Sequence, residues 1–242
     1  MPTIVVLGSG PLGRAVADAA TNAGHDARVL GRPTGARHDP TAFEGADLVV
    51  EASTANAVLE NVTSVLDGGV RRIVIATTAW DSDRQAVEEL VTSRGATVVA
   101  SANFSLGAAL FGRLVEDAVA LFGSAGFDPF LVEWHRAGKR DRPSGTARDL
   151  ARRIVAGHPG LREADDLEVV SIRAGVSPGM HLVGFDALGE TVELRLTARD
   201  RSAYAVGILA AADWLTRAPR TPGIHTFDPV VDALLARPEV AA

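Results

Sequence analysis

The chain has 242 residues, of which 47% are hydrophobic, with 24 Lys and Arg against 30 Asp and Glu for a formal charge of −6, and no cysteine. That is the composition of a globular chain with room for one large or two modest domains, and it excludes disulfides, thiolate metal sites and cysteine nucleophiles. The acidic balance argues against broad nucleic-acid binding, since no basic face exists to displace counterions from phosphates, and no run approaches the ~18 apolar residues needed to span a bilayer.

The N-terminal "MPTIVVLGSG" enters an apolar strand with no basic leader, so a cytoplasmic protein is expected. Strands are predicted at 3–8, 25–30, 47–53, 71–78 and 96–103, with helices at 12–23, 55–66 and 82–93 between most of them. Short β-branched runs separated by helices read as a parallel sheet covered on both faces. The alternation stops near Asn103, and an amphipathic helix follows over 106–123. After a further helix at 144–157, the segments "DLEVVSIRAG", "GMHLVGFDAL" and "ETVELRLTARD" read as consecutive antiparallel strands, joined by turns at Pro178-Gly179 and Gly189. A helix over 201–218 and a tail with one short helix complete the chain. The expected architecture is α/β: a parallel-sheet domain from 1–104 and 202–242, and an inserted α+β domain with an antiparallel sheet over 105–201.

The first strand runs into "VVLGSGPLGRAVADAA", where Gly8, Gly10 and Gly13 form G-x-G-x-x-G between strand and helix. Gly8 permits a tight turn, Gly10 lets a pyrophosphate approach the backbone, and Gly13 allows close helix–strand packing, as in a Rossmann dinucleotide site. Ser9, Pro11 and Leu12 complete this loop, and the helix N-terminus behind it offers free N–H groups. NAD-specific sites place an acid at the end of the second strand to hold the ribose hydroxyls. Here that position is Gly31, followed by Arg32, whose guanidinium suits a 2′-phosphate. NADPH is therefore the expected cofactor, with NADH possible.

The second candidate site is "EWHRAGKRDRPSGTA", 133–147. His135 and Lys139 are plausible proton donors. Ser144 is a natural N-cap, and the helix start at Gly145 and Thr146, beside Arg136, Arg140 and Arg142, suits a carboxylate or phosphate. Like-charged neighbours would make the Lys139 ammonium a better acid. A solvated basic loop leading into an ordinary capped helix is the competing reading of the same residues.

This stretch resembles the hallmark of the bacterial dihydrodipicolinate reductases, E-x-H-H-x-x-K-x-D-A-P-S-G-T-A. Other segments agree in order: "IATTAW" is similar to the family's G-T-T-G segment, and "SANFSLGAALF" to its A-x-N-x-S-x-G. "SIRAGVSPGMHLVGF", "GETVELRLTARDRSAYAVGILAAADWL" and "PGIHTFDPVVDALL" match its later segments, so the resemblance runs over nearly the whole chain. It implies reduction of a cyclic unsaturated imine dicarboxylate of lysine and diaminopimelate synthesis by NAD(P)H, in a homo-oligomer, most often a tetramer. It assigns proton handling to His135 and Lys139, carboxylate binding to Gly145 and Thr146, and the nicotinamide contact to Thr77 and Thr78. Ser144, and Arg136 through its guanidinium, are further expected to bind substrate, and Ser53, Ala76 and Asn103 to bind cofactor. No metal is implied, and the partner is a small carboxylate substrate.

Several positions depart from the family pattern. The second His of the pair is Arg136, the Asp and aromatic after the third strand are Glu51 and Ala52, and G-T-T-G is Ala76-Thr77-Thr78-Ala79. A His of the penultimate strand is Leu196, and the first glycine loop is one residue shorter. These departures leave open a related reductase acting on another imine or unsaturated carboxylate, and a non-catalytic dinucleotide sensor. His181 is expected to be structural or at a subunit contact, and Trp134 is the aromatic residue adjacent to the proposed site.

Overall fold

The computed structural model describes residues 1–32 and 37–236; residues 237–242, assigned above to the parallel-sheet domain, lie outside the described residues. The chain divides into two compact units, Met1–Leu106 with Arg201–Ala242, and Gly107–Asp200.

In the first unit, β1 (Thr3–Leu7), α1 (Pro11–Asn22), β2 (Asp26–Leu30), β3 (Leu48–Glu51), α2 (Val58–Asp67), β4 (Arg72–Ile75), α3 (Arg84–Ser93) and β5 (Thr97–Ala100) alternate as the sequence pattern predicts. The apolar runs of β1, β3 and β4 are buried because helices cover the sheet on both faces. Val5, Leu7, Val49, Ile73 and Ile75 pack with Val62, Leu66 and Val87 from α2 and α3. Full burial of each such side chain contributes about 1.5–3 kcal/mol. The strands are shorter than expected. They end at Leu7, Glu51, Ile75 and Ala100, so Gly8, Ser53, Ala76 to Ala79 and Asn103 lie in loops at the carboxyl edge of the sheet. In open parallel sheets that edge is where ligands bind.

A sixth strand, Gly223–His225, lies parallel to β5 and extends the sheet; three residues are too few to show a strand period in the sequence. The strand order places β1 between β2 and β3, so the chain reverses direction across the sheet beside the glycine loop.

The second unit contains α4 (Leu106–Ser124), β6 (Asp128–His135), α5 (Gly145–Gly157), β7 (Glu168–Arg173), β8 (Met180–Ala187) and β9 (Glu190–Thr197). In the first unit, α6 (Ser202–Arg217), the third-from-last element, precedes β10 (the Gly223–His225 strand) and α7 (Asp228–Leu235). The sheet of the second unit corrects the antiparallel meander expected from sequence. Its order is β7-β6-β8-β9, with β6 and β7 parallel and the other pairs antiparallel. The reason is α5, which carries the chain over the sheet from β6 to β7, and a helical crossover joins parallel neighbours. The residues around Pro178-Gly179 are therefore not a hairpin turn. They pass round the end of β6, where Arg136 N donates to Ser177 O (2.7 Å) and Ala137 N to Gly175 O (3.1 Å). The Leu188-Gly189 turn is a true two-residue hairpin, with Ala187 paired to Glu190 and Gly189 at φ +98°. One face of this sheet packs Leu131, Val183 and Phe185 against Val115, Val119, Leu150 and Ile154 of α4 and α5.

Candidate active site

The nucleotide-type unit builds its site on the glycine loop. Gly8 has φ +111°, and a Cβ there would collide with the Ala52 carbonyl. A Cβ on Gly13 would overlap the carbonyl oxygen of Gly8. A Cβ on Gly10 would meet nothing within 4 Å, so this glycine borders open space rather than protein. Gly10 is also the N-cap of α1; it supplies no side-chain cap, and Pro11 occupies the first turn. The open cradle, the positive end of the helix dipole and first-turn N–H groups without a side-chain acceptor fit a pyrophosphate. Ser9 and Pro11 are exposed beside it, Leu12 is half-buried, and Gly31 and Arg32 follow β2 as exposed residues.

Two of the expected cofactor residues, Ser53 and Thr77, are joined by Glu51, one of the departures from the family pattern. Glu51 is 1% exposed at the end of β3. Its carboxylate accepts short hydrogen bonds from the hydroxyls of Ser53 and Thr77, and one from Asn61 Nδ2 at 2.9 Å. Asn61 also donates to Ser53 Oγ at 3.0 Å. Ala76 and Thr77 are buried and Thr78 is exposed. Ala79, where the family pattern has glycine, adopts φ +61°. Asn103 accepts from Ser105 N at 2.8 Å and so shapes the entry to α4.

In the second unit, strand alternation decides which residues of the hallmark meet. Glu133 and His135 point to the helix-covered face of β6 and are buried, while Trp134 points to the opposite face and donates from Nε1 to Ala174 O at 2.9 Å. Glu133 Oε1 accepts from the Ser144 amide (3.0 Å), Ser171 Oγ (2.6 Å) and Arg173 (2.7 Å). Its Oε2 faces His135 Nδ1 at 3.3 Å and His181 Nε2 at 3.8 Å. Burial pushes the Glu133 carboxyl upward, but hydrogen bonds from Ser144, Ser171 and Arg173 outweigh it and hold its pKa at about 2. Burial lowers the pKa of His181 to about 4, helped by neighbouring His135 and opposed by Glu133.

Ser144 caps α5 as expected, accepting from Ala147 N at 3.2 Å, and its hydroxyl also meets His181 Nε2 at 3.2 Å. It is 2% exposed, so it supports the turn from beneath, while Gly145 is exposed and Thr146 half-buried at the helix start. Arg136 is exposed. Lys139 is half-buried and pairs with Asp141 at 2.8 Å, so the group against its ammonium is an opposite charge rather than the like charges expected from sequence.

Glu133, His135 and His181 offer donor atoms within 4.8 Å of one another, a clustering that sequence spacing does not display. The guanidinium of Arg173, its side chain 1% exposed, already supplies positive charge at this carboxylate. Glu133, Arg173, Ser171 and His181 were absent from the expected site. The signal that could have found them is the alternation of β6, which puts Glu133 on the same face as His135.

The family model for the dihydrodipicolinate reductase N-terminus matches residues 2–104, and that for the C-terminus matches residues 107–231. The chain belongs to the dihydrodipicolinate reductase family. It is 34% identical over 198 residues to a 4-hydroxy-tetrahydrodipicolinate reductase of Archaeoglobus fulgidus, covering 76% of this chain and 75% of that protein. A protein of the same name from Methanopyrus kandleri is 33% identical over 206 residues, covering 79% and 74%. The solved structure of a dipicolinate-bound dihydrodipicolinate reductase from Paenisporosarcina sp. TG-14 shares the fold with a TM-score of 0.70, at 20% identity over 93% of this chain and 98% of that one. The first matched region lies in the parallel-sheet unit of this chain, and the second covers the mixed-sheet unit and continues into the C-terminal elements of the parallel-sheet unit. No helix among the described residues is long and apolar enough to cross a membrane.

Proposed function

We propose that this chain reduces the cyclic unsaturated imine dicarboxylate of lysine and diaminopimelate synthesis, as its relatives' name, 4-hydroxy-tetrahydrodipicolinate reductase, describes. The observation that carries this reading is the second-unit site. There, a loop bearing Arg136, Lys139, Arg140 and Arg142 leads into the Ser144-capped start of α5, and buried Glu133 buttresses that start.

Gly8, Ser9, Gly10, Pro11, Leu12 and Gly13 hold the pyrophosphate of the dinucleotide. Ser53, Ala76, Thr77, Thr78 and Asn103 border its nicotinamide end, which supplies a hydride when bound. Glu51 keeps the Ser53 and Thr77 hydroxyls turned as donors toward itself, so each offers oxygen lone pairs to a ligand. Gly145 and Thr146 bind one substrate carboxylate at the positive end of α5, and Arg136 grips a carboxylate through its guanidinium. Hydride addition to a conjugated imine leaves an electron pair on the substrate that must take up a proton. Lys139 delivers it, and solvent restores the ammonium. NADPH is preferred over NADH, because Gly31 leaves no acid for the ribose hydroxyls and Arg32 stands ready for a 2′-phosphate.

We also propose a homotetramer. Trp134, Val170 and Ile172 are 36–41% exposed on the outer face of the second sheet, an apolar surface that a second copy would cover. Light scattering should give four times the 25.2 kDa chain mass.

The decisive assay follows NADPH absorbance with enzymatically generated substrate, alongside rescue of a diaminopimelate auxotroph. Absence of both would overturn the assignment. Arg136 in place of a histidine and Ala79 in place of a glycine favour, as a second reading, a related cyclic imine; turnover of such a compound without rescue would establish it.

A further inference from the structure

The two oxygens of the Glu133 carboxylate have unlike surroundings. Oε1 takes three donors, from Ser144, Ser171 and Arg173. Oε2 takes none of them; it and His135 Nδ1, 3.3 Å away, are both buried and neither makes a hydrogen bond, as is also true of Arg173 Nε. Solvent does not reach this carboxylate, which is 0% exposed. A buried acceptor without a donor is costly, more so when charged, so a neighbouring neutral group able to carry a proton should carry it toward Oε2. That group is His135 Nδ1 at 3.3 Å; His181 Nε2 is farther, at 3.8 Å, and meets Ser144 Oγ at 3.2 Å. The other nitrogen of His135, Nε2, lies beside Gly179, where an added Cβ would come within 3.0 Å of it.

We propose that Glu133 is a positioning residue for proton handling in this enzyme: Oε2 holds His135 as the neutral Nδ1–H tautomer with Nε2 a bare acceptor, while Oε1 holds the Ser144 amide and with it the carboxylate-binding turn. This rests on the reading that Lys139 delivers the proton to substrate beside His135. One carboxylate then sets the protonation pattern of the histidine and the shape of the anion site together. The division of labour follows. A neutral His135 with its proton turned inward does not donate from Nε2, so the proton that reaches substrate leaves Lys139 Nζ, and the lone pair stays on that amine.

The charged and titratable groups facing His135 agree. They are Glu133 on β6, Arg173 on β7, His181 on β8, and Lys139 and Asp141 in the loop beyond β6. Burial lowers the His135 pKa; Lys139 and Arg173 add to this, while Glu133 and Asp141 oppose it, so the ring is held neutral.

The test reads the tautomer without turnover. Histidine-selective ¹⁵N labelling of the full-length protein at pH 7 should show a protonated Nδ1 and an unprotonated Nε2 for His135, assigned against His135→Asn. An Nε2–H tautomer or an imidazolium in the wild-type protein overturns the proposal. Glu133→Gln provides a second arm. Its carboxamide oxygen can still accept from Ser144, Ser171 and Arg173, while its NH₂ group faces His135, so the proton should move to Nε2. kcat should fall about 10²-fold or more, with a much smaller change in KM. A folded Glu133→Gln protein with an unchanged His135 tautomer would also overturn it. If that variant fails to fold, the wild-type spectrum still decides. Failure of the reductase reading would appear separately, as no NADPH oxidation by a wild-type protein whose tautomer is as expected.

Discussion

Thr77 and Glu51, 26 positions apart in the chain, meet at the carboxyl edge of the parallel sheet, where the Thr77 hydroxyl donates to Glu51 Oε2. Glu51 is buried and also takes donors from Ser53 and Asn61, so this carboxylate binds the loops after β3 and β4 into one unit beneath the proposed nicotinamide end. Thr77→Val should cost about 1–2 kcal/mol by urea unfolding, since it removes one donor and leaves the carboxylate its other two. A double-mutant cycle with Glu51→Gln should return a coupling of about 1 kcal/mol. Strict additivity would show that the bond contributes nothing.

Ala79 sits at φ +61°, a left-handed conformation that costs a residue with a Cβ about 1–2 kcal/mol. Ala79→Gly removes that strain but adds unfolded-chain entropy of about 0.5–1 kcal/mol. The expected net result is a gain of up to about 1 kcal/mol in urea unfolding. A clear loss of stability would mean that the alanine methyl makes a contact worth more than the strain.

Arg32 is expected to select the cofactor. Fluorescence titration should give tighter binding of NADPH than of NADH, and Arg32→Ala should weaken NADPH by about 10-fold, the loss of one charge-assisted contact, while leaving NADH nearly unchanged. Equal affinities in wild type, unaltered by the substitution, would refute the preference.

Lys139 and Arg136 should differ in kind. Lys139→Ala should lower kcat by about 10²-fold or more through loss of the general acid. Arg136→Ala should mainly raise KM, because a guanidinium binds a carboxylate but does not give up its proton. Both variants should bind NADPH normally, since neither residue belongs to the glycine-loop unit. Near-normal kcat in Lys139→Ala would remove it as the proton donor.

The buried cluster should impose two acid-sensitive windows on stability. His181 has its pKa lowered from 6.5 to about 4, so its neutral form favours the folded state; that contribution is complete above pH 6.5 and is lost as pH falls toward 4. Glu133 is depressed from 4.5 to about 2, so its contribution is complete above pH 4.5 and is lost as pH falls toward 2. Urea midpoints measured across pH should fall through both windows in the wild type. Glu133→Gln should flatten the lower one; an unchanged slope there would contradict the assignment.

Local order was legible in the residues themselves. The alternation of apolar strands with amphipathic helices, the spacing of Gly8, Gly10 and Gly13, and the Ser144 cap each depend on neighbours within a few positions, where backbone sterics and periodicity act directly. The long match to the family hallmark added the expected roles of His135 and Lys139. Tertiary structure decided what depends on distant partners. The place of β6 between β7 and β8 follows from a helical crossover that strand periodicity does not reveal, and the strand at Gly223–His225 is defined by its pairing with β5, more than a hundred positions earlier in the chain. Glu133 could be read as a motif letter, but its function as a junction is set by Ser171 and Arg173, 38 and 40 positions onward, and by His181 on the neighbouring strand. A buried carboxylate requires donors, and only the folded chain determines which side chains are near enough to supply them.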